Sequence, residues 1–553
     1  MQKTRRLFPS ILSLEDIAIT VLFVYMKLSN NYYGDDISEM LFSYVDLMFI
    51  CYFLLRLLFQ YGKRSAYNLV IIAIEIAACS ESVLGILQIM GLVESNNSLF
   101  ICTGTFDNPG PLGGFLAVII SISMAVVYEK KVRNYKTHFS FSDKLILKVS
   151  YVSIALCAVL LPSTQSRAAL LSIIAAFFIY LIKDSKIRIW IFHHWLLFTI
   201  IIIILSSFVV FFKRPSMNGR LITYKIEMKA IQRNGYKGVG LGHFSNAYGK
   251  MQRDYFSNKI SISDGELQYC ESDKERIFAD NPKVGFNDFL QFGIEFGVGP
   301  MSLLLILVLL IGFRLYKCHS PFCQGMVSLL VFAFFSYPFS LWEFRMLFIV
   351  FAAYAGSKNK LTVIPRGYSL LFAIIYLIPF AIFNRSYNVV RNIYQDETIW
   401  KEERFIFSNG DYLSYEYCCS QLYPFMKSNC AFLYEYAYSM FMNGKLTESE
   451  QMANQSLALN GNSLTFILLG DIHKEQGLIK EAEKDYFDSF LALPDRLYPL
   501  YKLAVLYHDS NQMINYQNMV RSIDNFHPRI ESQATKDVRE LLNDISDTNE
   551  TTM

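Results

Sequence analysis

Four short segments of the chain combine glycine or proline with residue types that can bind anions or move protons. They are residues 104–114 (GTFDNPGPLGG), 163–169 (STQSRAA), 219–244 (which begin GRLITY and end GYKGVGLGHF) and 285–297 (GFNDFLQFGIEFG). Arginine suits a phosphate group because its planar guanidinium donates paired hydrogen bonds and stays protonated. Histidine suits proton transfer because its pKa lies near neutral pH. The four segments thus hold residue types capable of anion binding and acid–base chemistry, although none of the segments is specific alone.

Each candidate side chain in these segments has an ordinary structural alternative. Arg167 and Arg220 are the candidate phosphate ligands, and each could instead anchor a helix end at the membrane surface. His243 is a candidate base, and its alternative is a surface histidine without a chemical role. Asp288 and Glu295 are further candidate bases, although Asp288 could instead cap the helix that follows it.

The composition predicts a membrane region followed by a soluble tail. Of 553 residues, 53% are hydrophobic and only 18% are charged, whereas soluble proteins carry about 25% charged residues. Long apolar runs fill residues 11–383, and charged residues become frequent again after them. The net charge of +3 is too small to indicate a nucleic-acid partner. We therefore expect a membrane domain in residues 1–383 and a second domain in residues 384–553.

The apolar runs predict a polytopic bundle of membrane helices. A bilayer core needs about 20 apolar residues in a helix. On that basis eleven spans are expected, at 11–28, 39–60, 67–90, 112–128, 145–161, 167–183, 190–212, 287–313, 325–340, 342–357 and 367–383. Glu75 suggests that the third span lies partly in the interface, and Pro338 stands where the ninth and tenth spans meet. The predicted fold class is all-α.

Lysine and arginine alternate between the connecting segments in a way that predicts the topology. If the amino terminus is cytoplasmic, every inner segment carries at least two of these residues, whereas the short outer segments nearly lack them. Cytoplasmic loops are enriched in positive charge in this manner. An odd number of spans then places the long loop 213–286 and the tail 384–553 together on the outer side.

A repeat is visible after residue 400. Glycines and other small residues recur every 33 or 34 residues: Gly410, Gly444 and Gly477, and Ala437, Gly470 and Ala504. Glycine permits the turn inside a helical hairpin, and small residues let its two helices approach closely. The period resembles the tetratricopeptide repeat over about three units, residues 400–510. Such repeats usually offer a concave surface to a protein or peptide partner; the alternative is a plain helical cap on the membrane domain.

In their order and predicted topology, the four segments resemble the O-antigen ligase and polymerase superfamily of membrane glycosyltransferases, over residues 70–357. The matching residues are Asn108-Pro109, Ser166-Arg167, Arg220, Gly238, Gly240, Gly242, Asn287, Leu290, Glu295 and Gly297. The chain departs from the family at Phe286, where a histidine usually precedes the asparagine. A helical-repeat tail accompanies some members.

The resemblance implies an enzyme at the periplasmic face of a bacterial inner membrane. It would transfer a polyprenyl-pyrophosphate-linked glycan to an acceptor hydroxyl, as an O-antigen ligase, a polymerase or a protein O-oligosaccharyltransferase. Substrate binding is expected of Arg167, Arg220, Asn108 and Asn287, and catalysis of His243, Glu295 and Asp288. No cofactor and no metal ion is expected. The expected partners are the lipid-linked glycan, the bilayer and a protein or peptide at the repeat domain.

Two other classes of function compete with a transferase. A catalytically inactive scaffold is favoured by Phe286, because phenylalanine cannot accept a proton. A transporter or flippase would usually show internal symmetry and charged residues deep in its spans. The two halves of the membrane region show no convincing internal repeat, and intramembrane charge is confined to the early part of the chain.

Overall fold

A computed structural model describes residues 13–33, 36–133, 141–183, 193, 214–269, 273–358 and 369–550. Almost all regular structure in these residues is helical, so the prediction of an all-α fold is confirmed. Within the described ranges, the β-structure is one hairpin of β1 (Ile260–Ser263) and β2 (Glu266–Tyr269), paired antiparallel in the long loop.

The described helices of the membrane domain follow the predicted spans closely. Before the long loop lie α1 (Leu14–Tyr33), α2 (Asp36–Tyr61), α3 (Lys63–Ile89), α4 (Pro109–Tyr128), α5 (Phe141–Leu160) and α6 (Arg167–Lys183). The loop contains α7 (Arg214–Asn234), α8 (Phe244–Ser257) and a short 3-10 turn, Asp273–Phe278. After it come α9 (Asp288–Phe296), α10 (Val298–Lys317), α11 (Phe322–Phe335) and α12 (Trp342–Lys358).

Fewer helices than predicted are long and apolar enough to cross a membrane. Five described segments qualify: Leu41–Tyr61, Arg64–Ile89, Pro109–Lys131, Phe141–Thr164 and Val298–Lys317. Two further apolar helices, Arg167–Ile179 and Phe322–Phe335, are shorter. The described part of the chain therefore supports a membrane protein without reproducing eleven spans. The predicted seventh span, 190–212, lies outside the described residues apart from position 193.

The predicted eighth span, 287–313, is two helices. It breaks at Gly297, whose φ of 87° and ψ of 173° end α9 and begin α10. This backbone conformation is open to glycine and costly for other residues. As expected, the chain turns at Pro338 between α11 and α12, where Pro338–Ser340 forms a 3-10 turn.

Buried charges tie the membrane helices to one another. Glu75 is fully buried between helices and accepts hydrogen bonds from Ser123 (2.8 Å) and Ser150 (2.6 Å). On α1, Asp16 lies 3.4 Å from the Arg56 guanidinium, and Glu15 lies 3.3 Å from Arg314. Such pairing lowers the cost of placing charge in an apolar region.

The tail is a stack of helical hairpins. Its first helix, α13 (Ser369–Ser408), runs from the predicted eleventh span, 367–383, into the tail without a break and contacts both α2 and the next tail helix, so no interruption marks the predicted boundary at residue 384. The other tail helices are α14 (Tyr412–Met426), α15 (Cys430–Met442), α16 (Leu446–Leu459), α17 (Ser463–Glu475), α18 (Ile479–Ala492), α19 (Tyr498–Asp509), α20 (Met513–Asp524) and α21 (Gln533–Glu550). Gly410, Gly444 and Gly477 make the turns within hairpins, with φ of 77–78°. Asn511 takes the same role at φ 57° between α19 and α20, so the last hairpin extends by one helix beyond the predicted end at residue 510.

The long loop and the tail share one hydrophobic core. Its fully buried members come from both parts of the chain: Ile226, Ala230 and Tyr248 from the loop, and Ala482, Leu500, Leu503 and Tyr507 from the tail. Gln252 donates a buried hydrogen bond of 2.6 Å to the carbonyl of Ala492, and the Leu267 amide donates one of 3.1 Å to Ser522. Since α7 belongs to this core, the tail helps to position the loop.

Candidate functional site

A cavity of about 890 Å³ opens where several membrane helices end. Its walls come from the last residue of α3 and from residues 99–102, the start of α4, the turn before α6, the first part of α7 and the end of α11. Three of the four predicted substrate-binding residues, Asn108, Arg167 and Arg220, line this one cavity. Residues far apart in sequence thus meet at one end of the membrane domain.

The cavity is lined by both apolar and polar side chains. The apolar side chains in its wall include those of Ile89, Leu99, Ile101, Leu171, Leu221, Phe332 and Phe335. Leu99 and Ile101 remain 82% and 76% exposed, so the apolar wall continues outward from the cavity. The polar side chains in the wall include those of Asn108, Thr164, Gln165, Ser166, Arg167, Arg220 and Tyr224. An amphiphilic ligand with a charged head and an apolar chain matches both kinds of side chain.

Arg220 is held by neutral groups. Its guanidinium donates a 2.7 Å hydrogen bond to the carbonyl of Phe335, and the Phe286 ring centroid lies 5.3 Å from its central carbon. Among the described residues no carboxylate forms an ion pair with it. Burial lowers the pKa of Arg220, and the neighbouring positive charge of Arg167 lowers it further. Two cations in one cavity repel each other, and a bound anion would relieve that repulsion.

Helix capping and a tight contact between helices position the walls of the cavity. Asn108 caps α4, because its side-chain oxygen accepts from the Gly110 amide at 2.8 Å. A Cβ atom at Gly113 would lie 2.5 Å from the Thr164 hydroxyl, so glycine lets the turn before α6 approach α4. In the sequence, Gly113 stood out only as one of several glycines and prolines in residues 104–114.

Asn287 is a helix cap in the structure. Its side-chain oxygen accepts from the amides of Phe289 (3.0 Å) and Leu290 (3.2 Å) at the start of α9. The sequence had assigned this cap to Asp288, which instead accepts from the Phe339 amide at 2.9 Å. Asn287 is buried and does not line the cavity, unlike the other three predicted substrate-binding residues.

The three candidate bases lie in a second cluster. Asp288 and Glu295 are both buried on α9, outside the spanning helices, and both carboxyl groups feel the positive charge of Arg345. Burial raises the pKa of Glu295 to about 7, and His243 lies close enough to oppose that rise. None of the three lines the cavity. The structure therefore does not bring the predicted bases together with the predicted phosphate ligands.

The glycine turn of residues 238–242 fits against the junction of α9 and α10. The Gly240 amide donates to the carbonyl of Glu295 at 2.8 Å, and the Gly242 amide donates to its carboxylate at 3.3 Å. A Cβ atom at Gly238 would lie 2.4 Å from the Glu295 carbonyl oxygen, and one at Gly297 would lie 2.1 Å from that of Tyr236. Two motifs separated by more than 50 residues are thus parts of one tight backbone contact.

Glu227 is a buried group that the sequence reading missed. It follows Arg220 and Tyr224 on the same face of α7 and is fully buried. Within the described residues, neither carboxylate oxygen of Glu227 has a hydrogen-bond partner. Burial raises its pKa to about 8, so the carboxyl group is mostly protonated at neutral pH. Its spacing of seven residues from Arg220, which places both on one face of a helix, could have identified Glu227 from the sequence.

The described residues contain no group of three or more His, Cys, Asp or Glu side chains placed to hold a metal ion. No family model matches the chain, and no curated protein matches it.

Proposed function

We propose that this protein is a membrane transferase that takes a polyprenyl-pyrophosphate-linked glycan as donor and passes the glycan to an acceptor hydroxyl. The observation that supports it most is the cavity in which Arg167 and Arg220 meet beside an apolar wall. A lipid diphosphate has the matching chemistry, with two phosphates for the guanidinium groups and a hydrocarbon chain for the apolar residues.

The two arginines would serve the leaving group. In the transfer, the acceptor oxygen forms a bond to the anomeric carbon of the glycan while the bond from that carbon to the diphosphate oxygen breaks. The diphosphate departs with its electron pair, and charge on its oxygens increases in the transition state. Preorganised cations in a site that excludes water stabilise such charge strongly. The acceptor proton must pass to a base, for which His243, Glu295 and Asp288 stay predictions.

The same side of the membrane is proposed for the cavity, the long loop and the tail. Supporting this, α7 contributes Arg220 to the cavity and also packs into the core shared with the tail. The outer, periplasmic side follows from the distribution of lysine and arginine in the sequence. On that side the helical repeat would be accessible to a protein or peptide partner.

A non-catalytic protein that binds a lipid-linked glycan is the second candidate. It is favoured by the composition of the cavity wall, where the described lining residues include no carboxylate and no imidazole. Such a scaffold would bind the donor without turning it over. A single assay that follows both donor binding and transfer separates the two candidates.

The proposal is tested with purified protein in lipid nanodiscs, supplied with an undecaprenyl-diphosphate-linked glycan and acceptor. We expect Arg167→Ala to abolish transfer while the protein stays folded in the membrane, because the charge that develops on the leaving diphosphate would lose one of its two cations. Arg233→Ala is a matched control, because Arg233 is an exposed surface residue of α7 paired with Asp254. Normal transfer by the Arg167 variant would exclude the proposed donor site. Donor binding without any transfer by the wild type would favour the scaffold.

The acceptor is identified by deleting the gene in its host. Lipopolysaccharide reduced to its bare core, with lipid-linked glycan accumulating, is expected for a ligase, whereas core with one repeat unit indicates a polymerase. Intact lipopolysaccharide with unglycosylated periplasmic proteins indicates a protein O-oligosaccharyltransferase and would make the tail part of acceptor recognition.

A further inference from the structure

We infer that Phe286 is a positioning residue that holds Arg220 in the cavity without neutralising it. The inference rests on the proposed function, because it assigns Arg220 to the donor diphosphate. Three observations carry it: the ring of Phe286 on the guanidinium, the means by which that ring is fixed, and the absence of a competing carboxylate among the described residues.

The first observation is the contact itself. The central carbon of the Arg220 guanidinium lies 5.3 Å from the Phe286 ring centroid, within the range of a cation–π interaction. Another part of the group donates to the Phe335 carbonyl at 2.7 Å. A ring on the guanidinium and a carbonyl on one N–H group leave the other N–H donors for a ligand.

The second observation is that the ring is fixed by contacts on several sides. The Phe286 carbonyl accepts from the Tyr224 hydroxyl at 3.2 Å, so the helix that carries Arg220 also holds the backbone of Phe286. The following residue, Asn287, caps α9. The Phe286 ring also meets the Tyr337 ring edge-on, with centroids 6.1 Å apart. Gly285 before it donates to Gln291 at 2.9 Å. The ring therefore sits on a stiff segment.

The third observation concerns charge. An acidic partner would hold Arg220 more strongly, but it would also cancel the positive charge that an anionic ligand needs. Within the described residues, Arg220 has a ring and a carbonyl as partners and no ion pair. Both partners are uncharged, so the whole charge of the guanidinium stays available. Phe286 thus supports the orientation of the cation and leaves diphosphate as its counter-ion.

The test measures binding of farnesyl diphosphate, a short prenyl diphosphate, to the full chain in nanodiscs. Phe286→Leu should weaken binding by about two- to thirty-fold, the range that a cation–π contact contributes. Phe286→Tyr keeps an aromatic face and should restore binding to near the wild-type value. Phe292→Leu is the matched control, because Phe292 is a half-buried phenylalanine of α9 that packs on Phe296.

Phe286→His adds a readout that simple loss of packing would not produce. Neutral imidazole still offers an aromatic face, whereas imidazolium would repel Arg220. Relative to wild type, the histidine variant should bind normally at pH 8 and gain affinity as pH falls below about 6.5, the ordinary pKa of histidine, because bound diphosphate relieves the repulsion between the two cations. Replacement of Phe286 by glutamate should abolish binding at any pH above about 5, because the carboxylate would pair with Arg220.

The outcomes separate this inference from the proposed function. If the wild type binds and Phe286→Leu binds equally well, Phe286 does not position Arg220, and the donor site stands without it. A histidine variant whose affinity follows that of the wild type at every pH would also overturn the inference. If the wild type does not bind the diphosphate, the proposed donor class fails, and the role of Phe286 fails with it.

Discussion

Arg276 connects the long loop to the tail, and its removal should loosen both. Its side chain is only 3% exposed and lies 3.5 Å from Asp495 of the tail. The guanidinium donates to the carbonyls of Pro494 (3.3 Å) and His527 (3.0 Å), and its central carbon lies 3.9 Å from the Phe526 ring centroid. One loop residue thus makes four contacts with the tail.

The free energy of this connection follows from the contacts. Arg276 is buried, but Asp495 is 22% exposed and also accepts from the Arg529 amide, so its charge is not left without compensation. Loss of hydrogen bonds to a charged group costs about 1.5–3 kcal/mol. We expect Arg276→Ala to lower the opening free energy of the shared core by about this amount. Amide exchange in α8 and α18 should then accelerate by about 10- to 150-fold, since 1.4 kcal/mol corresponds to a factor of ten.

Hydrogen–deuterium exchange of the full chain in nanodiscs measures this effect. Lys274→Ala is the matched control, because Lys274 is an exposed cation in the same 3-10 turn and makes no hydrogen bond or ion pair within the described residues. If amide exchange accelerates only in the 3-10 turn that carries the substitution, and exchange in α8 and α18 stays unchanged, the loop and the tail do not form one cooperative unit.

Three further predictions concern the packing of the loop. Gly297→Ala should destabilise the junction of α9 and α10, because the new Cβ would lie 2.1 Å from the Tyr236 carbonyl at a φ of 87°; a melting temperature equal to wild type would contradict it. The free energy of unfolding of the wild type should fall as pH rises from 4.5 to about 8, because in this interval only the unfolded chain ionises Glu227. Glu227→Gln should remove this fall, which melting curves at pH 5 and pH 8.5 would show. Ala482→Arg should unfold the shared core, because this side chain is fully buried, and α8 should lose exchange protection together with α18.

The periodic features of the fold could be predicted from sequence because they depend on local chemistry. Gly410, Gly444 and Gly477 adopt the left-handed conformation that their spacing suggested, and the turn at Pro338 falls between two helices. The break at Gly297 was missed because the apolar run resumes after it, although Gly297, Gly299 and Pro300 stand together at this point. The conformation of Gly297 is required by the close approach of Tyr236, a contact across 61 residues that no local pattern reports.

The candidate site was predicted in part, for a related reason. Arg167, Arg220 and Asn108 reach one cavity, and in each case the residue lies at or near the start of a helix. His243, Glu295 and Asp288 were chosen by residue type, and they lie in another cluster, where Asp288 accepts from the Phe339 amide and Glu295 from that of Gly242. Residue type identifies groups able to transfer a proton, but only packing decides which of them reaches the cavity.

The shared core gives the tail a role that does not depend on an external partner. Arg220 enters the cavity from α7, and Ile226 and Ala230 on the same helix are buried in the core completed by Leu500 and Leu503 of the tail. α7 packs against α8 and α9, and α8 in turn packs against α18 of the tail. Without the tail, α8 would lose this support, and the packing that fixes the orientation of α7 would be weakened. A truncation before residue 412 should therefore weaken donor binding even when no acceptor is present. If the truncated protein instead binds diphosphate normally and fails only in transfer, the repeat acts on the acceptor.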